Sequence, residues 1–208
     1  NITRQNIIAN NFGSIYNAIT LFIAIPIYVK YLGIENYSIV ALFTIICSWS
    51  VLMDFGLTSI VERKISLFKA NDLSIKSIAS LLRSVEIFTM VIGVLFIAVM
   101  WLASGWLSIN WLSGLNLPIE EVKKSFILMG FIISFRSIEA IYNKTLRALQ
   151  KQVLLNIVSI SIFTIQNFGS IFILIFISPT IEAFFIWNAI TSLISLITFG
   201  FTVYWVIP

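Results

Sequence analysis

The chain has 208 residues, 59% hydrophobic and only 11% charged, with 13 basic against 9 acidic side chains and a formal charge of +4. A soluble domain carries about 25% charged residues and leaves much of its chain facing water, so a soluble fold is excluded and the solvent for this surface is lipid. Histidine is absent and Cys47 is the single cysteine, which excludes Ser-His hydrolysis, a His-ligated metal, phosphohistidine chemistry and any disulfide framework.

No nucleophile, metal or cofactor motif stands among the remaining residues, so the expectation is no enzyme, no cofactor and no metal. The positive excess sits between apolar runs, which points away from nucleic acid. The chain opens on Asn1 rather than Met and stops at Pro208 straight after an apolar run. It therefore reads as a piece of a longer protein.

A spanning helix needs about 20 apolar residues. Windows poor in charge place six, over residues 7–30, 38–61, 85–107, 126–147, 153–177 and 183–206. They are too long and too continuous for barrel strands, and only helices or closed barrels satisfy their own backbone groups in hydrocarbon. The predicted fold is all-α: a six-transmembrane-helix bundle.

The first span lies between Arg4 and Lys30 and carries Asn10, Gly13, Asn17 and Thr20 on one face. Pro26 removes a backbone donor and predicts a helix kink. The second span holds Asp54, eight residues before Glu62 and so about 12 Å deeper along a helix. Residues 66–83 read as helical extensions beyond the membrane. The third span ends among Trp101, Trp106 and Trp111, an interfacial aromatic belt, and the segment from Trp106 to Pro118 reads as an outer loop.

The fourth span is the most polar. Arg136 and Glu139 are three residues apart on one helix face. The fifth span carries Asn156, Ser159, Gln166, Asn167 and Ser170, and the sixth Asn188, Thr191, Ser192, Ser195 and Thr202. Such stripes join helices or line a hydrated cavity.

Nine Lys and Arg residues flank the membrane on the N-terminal side and three on the other. The positive-inside rule then puts the N-terminus in the cytoplasm. A charge at mid-bilayer costs about 2.5–3.5 kcal/mol on insertion scales and faces a partner or a cavity. Two readings stay open. In one, Arg136 meets an anionic substrate, with Asn10, Asn17 and Gln166 as further substrate contacts, and Asp54 or Glu139 serves ion coupling. In the other, an Arg136–Glu139 or Arg136–Asp54 pair only orders the bundle.

Four segments, in order and over nearly the whole chain, resemble a known family. They are Pro26-Ile-Tyr-Val-Lys-Tyr-Leu-Gly33-Ile-Glu-Asn-Tyr37, Asp54-Phe-Gly-Leu57 leading to Glu62-Arg63, Tyr142-Asn-Lys-Thr-Leu-Arg-Ala-Leu-Gln-Lys-Gln152, and Ile181-Glu-Ala-Phe-Phe-Ile-Trp187-Asn. These are similar to the N-terminal half of bacterial polysaccharide flippases, the O-antigen (Wzx-type) translocases of the multidrug/oligosaccharidyl-lipid/polysaccharide exporter superfamily. Ser38 and Ala148 stand where such proteins often have glycine.

The resemblance implies one lobe of a two-lobed transporter of twelve or more helices, with the C-terminal lobe outside this chain. It further implies alternating-access translocation of an undecaprenyl-pyrophosphate-linked oligosaccharide across the bacterial cytoplasmic (inner) membrane, in polysaccharide biosynthesis. The partners it implies are that lipid-linked substrate, the surrounding lipids, a polysaccharide polymerase and a chain-length regulator. The alternatives are a multidrug exporter of the same superfamily and, from another class, a non-transporting scaffold subunit of a polysaccharide-assembly complex.

Overall fold

The computed structural model describes residues 2–50, 56–71, 75–110 and 117–207. They form α1 (Ile2–Ser50), α2 (Leu57–Asn71), α3 (Ile75–Asn110), α4 (Ile119–Ala148), α5 (Gln152–Phe176) and α6 (Ile181–Val206), with no strand among the described residues. All but α2 are long and apolar enough to cross a membrane, making five such helices. The chain is a helical, multi-pass membrane protein.

Helix α1 covers the first expected span and the second only as far as Ser50; residues 57–61 of that second span begin α2 instead. The 49 residues of α1 exceed one crossing by far, and the backbone leaves helical angles once, at Gly33 (φ 79°, ψ 162°). That region is open to glycine and closed to residues with a Cβ. The bend reverses the chain. Asn17 before it and Thr44 after it line one cavity, whereas a straight helix would hold them about 40 Å apart. Pro26, expected as a kink within the first span, lies inside the helical arm before Gly33, and the reversal falls in the gap between the first two expected spans. A proline φ is compatible with helix and costs one hydrogen bond; the φ of Gly33 ends the helix outright.

Helix α4 is the spine. It packs against α3 and α6, then α2, and more lightly against α1 and α5. Near its start Lys124 pairs with Glu182 of α6 at 3.0 Å, and near its end Lys144 pairs with Glu62 of α2 at 3.1 Å. Twenty residues of helix separate the two lysines by about 30 Å, the thickness of the hydrocarbon layer. Partly exposed pairs of this kind contribute at most about 1 kcal/mol each, so their value is positional: they bracket the membrane. Exposed Trp101 and Trp106 sit toward one end of the bundle and exposed Trp205 at the other, where interfacial aromatics belong.

Helix α3 runs past its expected end. Trp106 to Asn110 is helical rather than loop, because no proline interrupts it. The Ser108 hydroxyl donates to the Gly105 carbonyl and the Asn110 amide to that of Trp106, at 2.9 and 3.0 Å, which covers carbonyls near the helix end. Trp111 and Asp54 lie outside the described residues.

Two apolar cores are stacked along α4. The first gathers Phe126, Met129 and Ile133 with Ile39, Phe43 and Phe185. The second gathers Ile141 and Leu146 with Val61, Ile65, Leu82 and Phe199. Between them, α4, α5 and α6 each turn polar. Replacing Gly33 with alanine should lower stability by about 1–3 kcal/mol, read as a drop in the unfolding midpoint of the purified protein. Pro26→Ala should leave the midpoint unchanged or raise it; a neutral Gly33→Ala would refute the hinge.

Candidate functional site

The polar layer begins with how α5 and α6 meet. Gly169 admits the Trp187 indole so closely that a Cβ there would lie 2.3 Å from a ring carbon. The indole N–H donates to the Gln166 carbonyl at 3.2 Å. This contact sets the level at which the Gln166 side-chain amide donates to Asn188 Oδ1. Asn188 in turn donates to the Phe184 carbonyl at 2.9 Å.

The other flank of α5 faces α1. Tyr16 and Thr164 share a hydroxyl hydrogen bond of 2.7 Å, and the Tyr28 hydroxyl donates to the carbonyl and to Oδ1 of Asn167, both at 3.2 Å. Asn10 donates to Gln152 Oε1 at 2.9 Å and accepts from Asn156 at 2.7 Å. The expected Asn10 substrate contact therefore sits in a helix-joining amide cluster, and it does not line the cavity described next.

Between the α1–α5 pair and the α4–α6 pair lies a cavity of about 470 Å³, within the usual range for small-molecule sites. Asn17, Gln166, Arg136 and Glu139, four of the residues singled out from the sequence, all line it. Tyr28, Phe43, Phe163 and Phe184 supply aromatic wall. Tyr28 stands edge-on to Phe184 at 5.2 Å, and Phe43 edge-on to Phe185 at 5.4 Å. Phe43, the aromatic contributor from the second arm of α1, carries no sequence signal, because only the reversal at Gly33 brings that arm to this level.

The two charged residues stand apart. Among the described residues the ion pairs are Lys124–Glu182 and Lys144–Glu62, so Arg136 and Glu139 do not close the expected pair. Glu139 accepts from Ser195 at 2.8 Å and from Asn143 at 3.2 Å. The Arg136 guanidinium lies 5.7 Å from the centre of the Phe43 ring, with one nitrogen 4.0 Å from Cys47 Sγ. Each charge thus answers to a neutral neighbour. The alternative Arg136–Asp54 pair lies outside the described residues.

Two polar atoms on the cavity wall have no protein partner: Asn17 Oδ1 and Ser192 Oγ. Ser192 is only 3% exposed. Most hydroxyls in this bundle turn back to a carbonyl of their own helix, as Thr191, Thr198 and Thr202 do on α6. Ser192 and Ser195 do not, and both belong to the cavity wall. A buried polar atom without a partner costs about 1–3 kcal/mol; Asn36 Oδ1 and Asn143 Oδ1, away from this cavity, share that state.

No family model, curated protein or solved structure matches this chain.

The Gly169–Trp187 contact gives a direct test of what sets the layer's register. Gly169→Ala should destabilise the protein by about 1–3 kcal/mol through overpacking. The same substitution should cost much less in a Trp187→Leu background. Equal losses in both backgrounds, measured by unfolding of the four proteins of the cycle, would disprove the assignment.

Proposed function

We propose that this chain is a six-crossing lobe of a transporter, α1 supplying two crossings about Gly33. It moves an undecaprenyl-pyrophosphate-linked oligosaccharide across the bacterial cytoplasmic membrane by alternating access. The observation that carries the reading is the polar cavity of about 470 Å³ held at mid-depth between two apolar cores. A bundle that only anchors or scaffolds gains nothing from a guanidinium and a carboxylate lining an interior cavity without closing a pair, which argues against the scaffold alternative. In this reading Arg136, Asn17 and Gln166 meet the polar headgroup, and Asn10 holds α1 to α5.

Orientation follows from charge. The end of the bundle where Lys144 meets Glu62 also carries Arg63, Lys64, Arg147 and Lys151. Asn10, near the N-terminus, bonds to Gln152 at the same end. The positive-inside rule assigns that end to the cytoplasm. The second lobe, and any polymerase or chain-length regulator working beside it, lie beyond this chain in the proposal.

One observation favours a second reading. Glu139 beside aromatic walls is suited to an amphiphilic cation, as in a multidrug exporter of the same superfamily. Proteoliposomes holding the full-length protein separate the two. Lipid-linked oligosaccharide should flip, and Arg136→Ala should slow it about tenfold or more, the scale of a lost charge-assisted hydrogen bond. Arg136→Lys should fall between, since lysine lacks the planar fork. If both variants flip at the normal rate, Arg136 is not a substrate contact. Efflux of a cationic dye without flipping selects the exporter.

A further inference from the structure

We infer that the outer face of α3, at its basic end, holds the headgroup phosphate of an anionic phospholipid, with Arg83 as the cation that receives it. Helix α3 packs against α4 and lightly against α2, and none of its described residues lines the inner cavity. It therefore forms the flank of the bundle away from that cavity. Leu82 and Val85 turn inward to the second core. The opposite side of the helix carries Ser80, Arg83, Ser84, Ile87, Val91 and Val94, all within about 100° of one another around the axis. All six are exposed.

Depth gives these residues their roles. Ser134 of α4 donates to the Gly93 carbonyl at 2.9 Å, and Gly130 lies against Met100, so α3 and α4 run antiparallel. Ten residues on from that bond α4 reaches Lys144, and ten residues back α3 reaches Arg83, about 15 Å in each case. Arg83 thus stands at the level of the Lys144–Glu62 pair, where the headgroups begin. With Ser80, Ser84 and Ile87 it lines a groove of about 440 Å³. Glu86, three residues away, accepts from the Tyr204 hydroxyl of α6 at 2.9 Å on both oxygens, which holds that carboxylate on the side facing α6. A guanidinium meets phosphate through a planar fork, and the two serines add hydroxyl donors. Below them Ile87, Val91 and Val94 are 65%, 55% and 61% exposed and form an apolar strip for an acyl chain. A free anion would use only the top of this stripe; a headgroup joined to a chain uses all of it. Arg63, Lys64, Arg147 and Lys151 at the same end favour a lipid of net negative charge over a zwitterionic one.

Such a site needs only that α3 crosses the membrane, whatever the cargo, so lipid binding and flipping can fail separately. The test uses the full-length protein in phosphatidylcholine nanodiscs with spin-labelled phosphatidylglycerol, whose immobilised fraction is read by electron paramagnetic resonance. Phosphatidylglycerol should be held in preference to phosphatidylcholine carrying the same label. Arg83→Ala should cut that preference about 3- to 10-fold, the scale of one hydrogen bond at an exposed site. Arg83→Lys keeps the charge without the fork and should fall between, which guards against a variant that merely misfolds. Arg147→Ala removes an equal charge from the same end and should leave the preference unchanged. No preference for phosphatidylglycerol, or equal losses in Arg83→Ala and Arg147→Ala, would overturn the inference. Displacement of the labelled lipid by millimolar inorganic phosphate would also overturn it and make the groove a site for a free anion. A dimer that Arg83→Ala dissociates would overturn it in favour of a second copy of this chain.

Discussion

Hydrocarbon offers no hydrogen bonds, so every polar group in the bundle must find its partner inside the protein or inside a water-filled space. The rest of the structure follows from that demand. Helices supply partners for the backbone, and most buried hydroxyls bend to carbonyls of their own helix, as Ser134 and Thr145 do on α4. Paired amides join neighbouring helices, as at Asn10–Gln152 and Gln166–Asn188. Among the described residues these devices leave over buried atoms of Asn17 and Ser192, which line the cavity between two apolar cores, and of Asn36 and Asn143, which do not.

Two local features hold the level of that cavity in place. The ion pairs at the ends of α4 fix its position along the membrane normal relative to α2 and α6. Gly33 folds α1 back on itself, so that its two arms present Asn17 and Tyr28 from one side and Phe43 and Thr44 from the other. Neither feature is large in energy. Each selects one arrangement among several that the apolar surfaces would accept almost equally well. Lipid-facing leucines and isoleucines have no preferred register, whereas a backbone angle open only to glycine and a charge confined to the interface do.

The sequence revealed the helices because lipid imposes a long apolar window that few soluble elements imitate. The ends of α5 and α6 fall within two residues of their apolar windows, while α4 begins seven residues before its own. The sequence misplaced the end of α3, because Trp106 marks depth in the membrane and not the end of a helix. The gap between the first two expected spans, residues 31–37, contains the reversal at Gly33, but the φ that makes it has no trace in local spacing. The polar stripes were visible in full, but their division was not. Asn10 and Asn17 share one face of α1, yet one is spent on α5 and the other opens on the cavity. That difference depends on which α5 residues stand opposite, a long-range fact with no trace in local spacing.

Arg136 and Glu139 carry the sharpest lesson about charge inside this bundle. Three residues apart on a helix, they were positioned to neutralise each other, and a closed pair 4 Å apart would gain about 4 kcal/mol at an effective dielectric of 20. Instead Glu139 takes hydrogen bonds from Ser195 and Asn143, and Arg136 rests against Phe43 and Cys47. Burying either charge without hydrogen bonds would cost more than a closed pair gains, so the Ser195 and Asn143 bonds to Glu139 do part of the work a closed pair would do. Among the described residues, the cavity wall thus carries one guanidinium and one carboxylate held by different neighbours, amid amides, hydroxyls and aromatic rings.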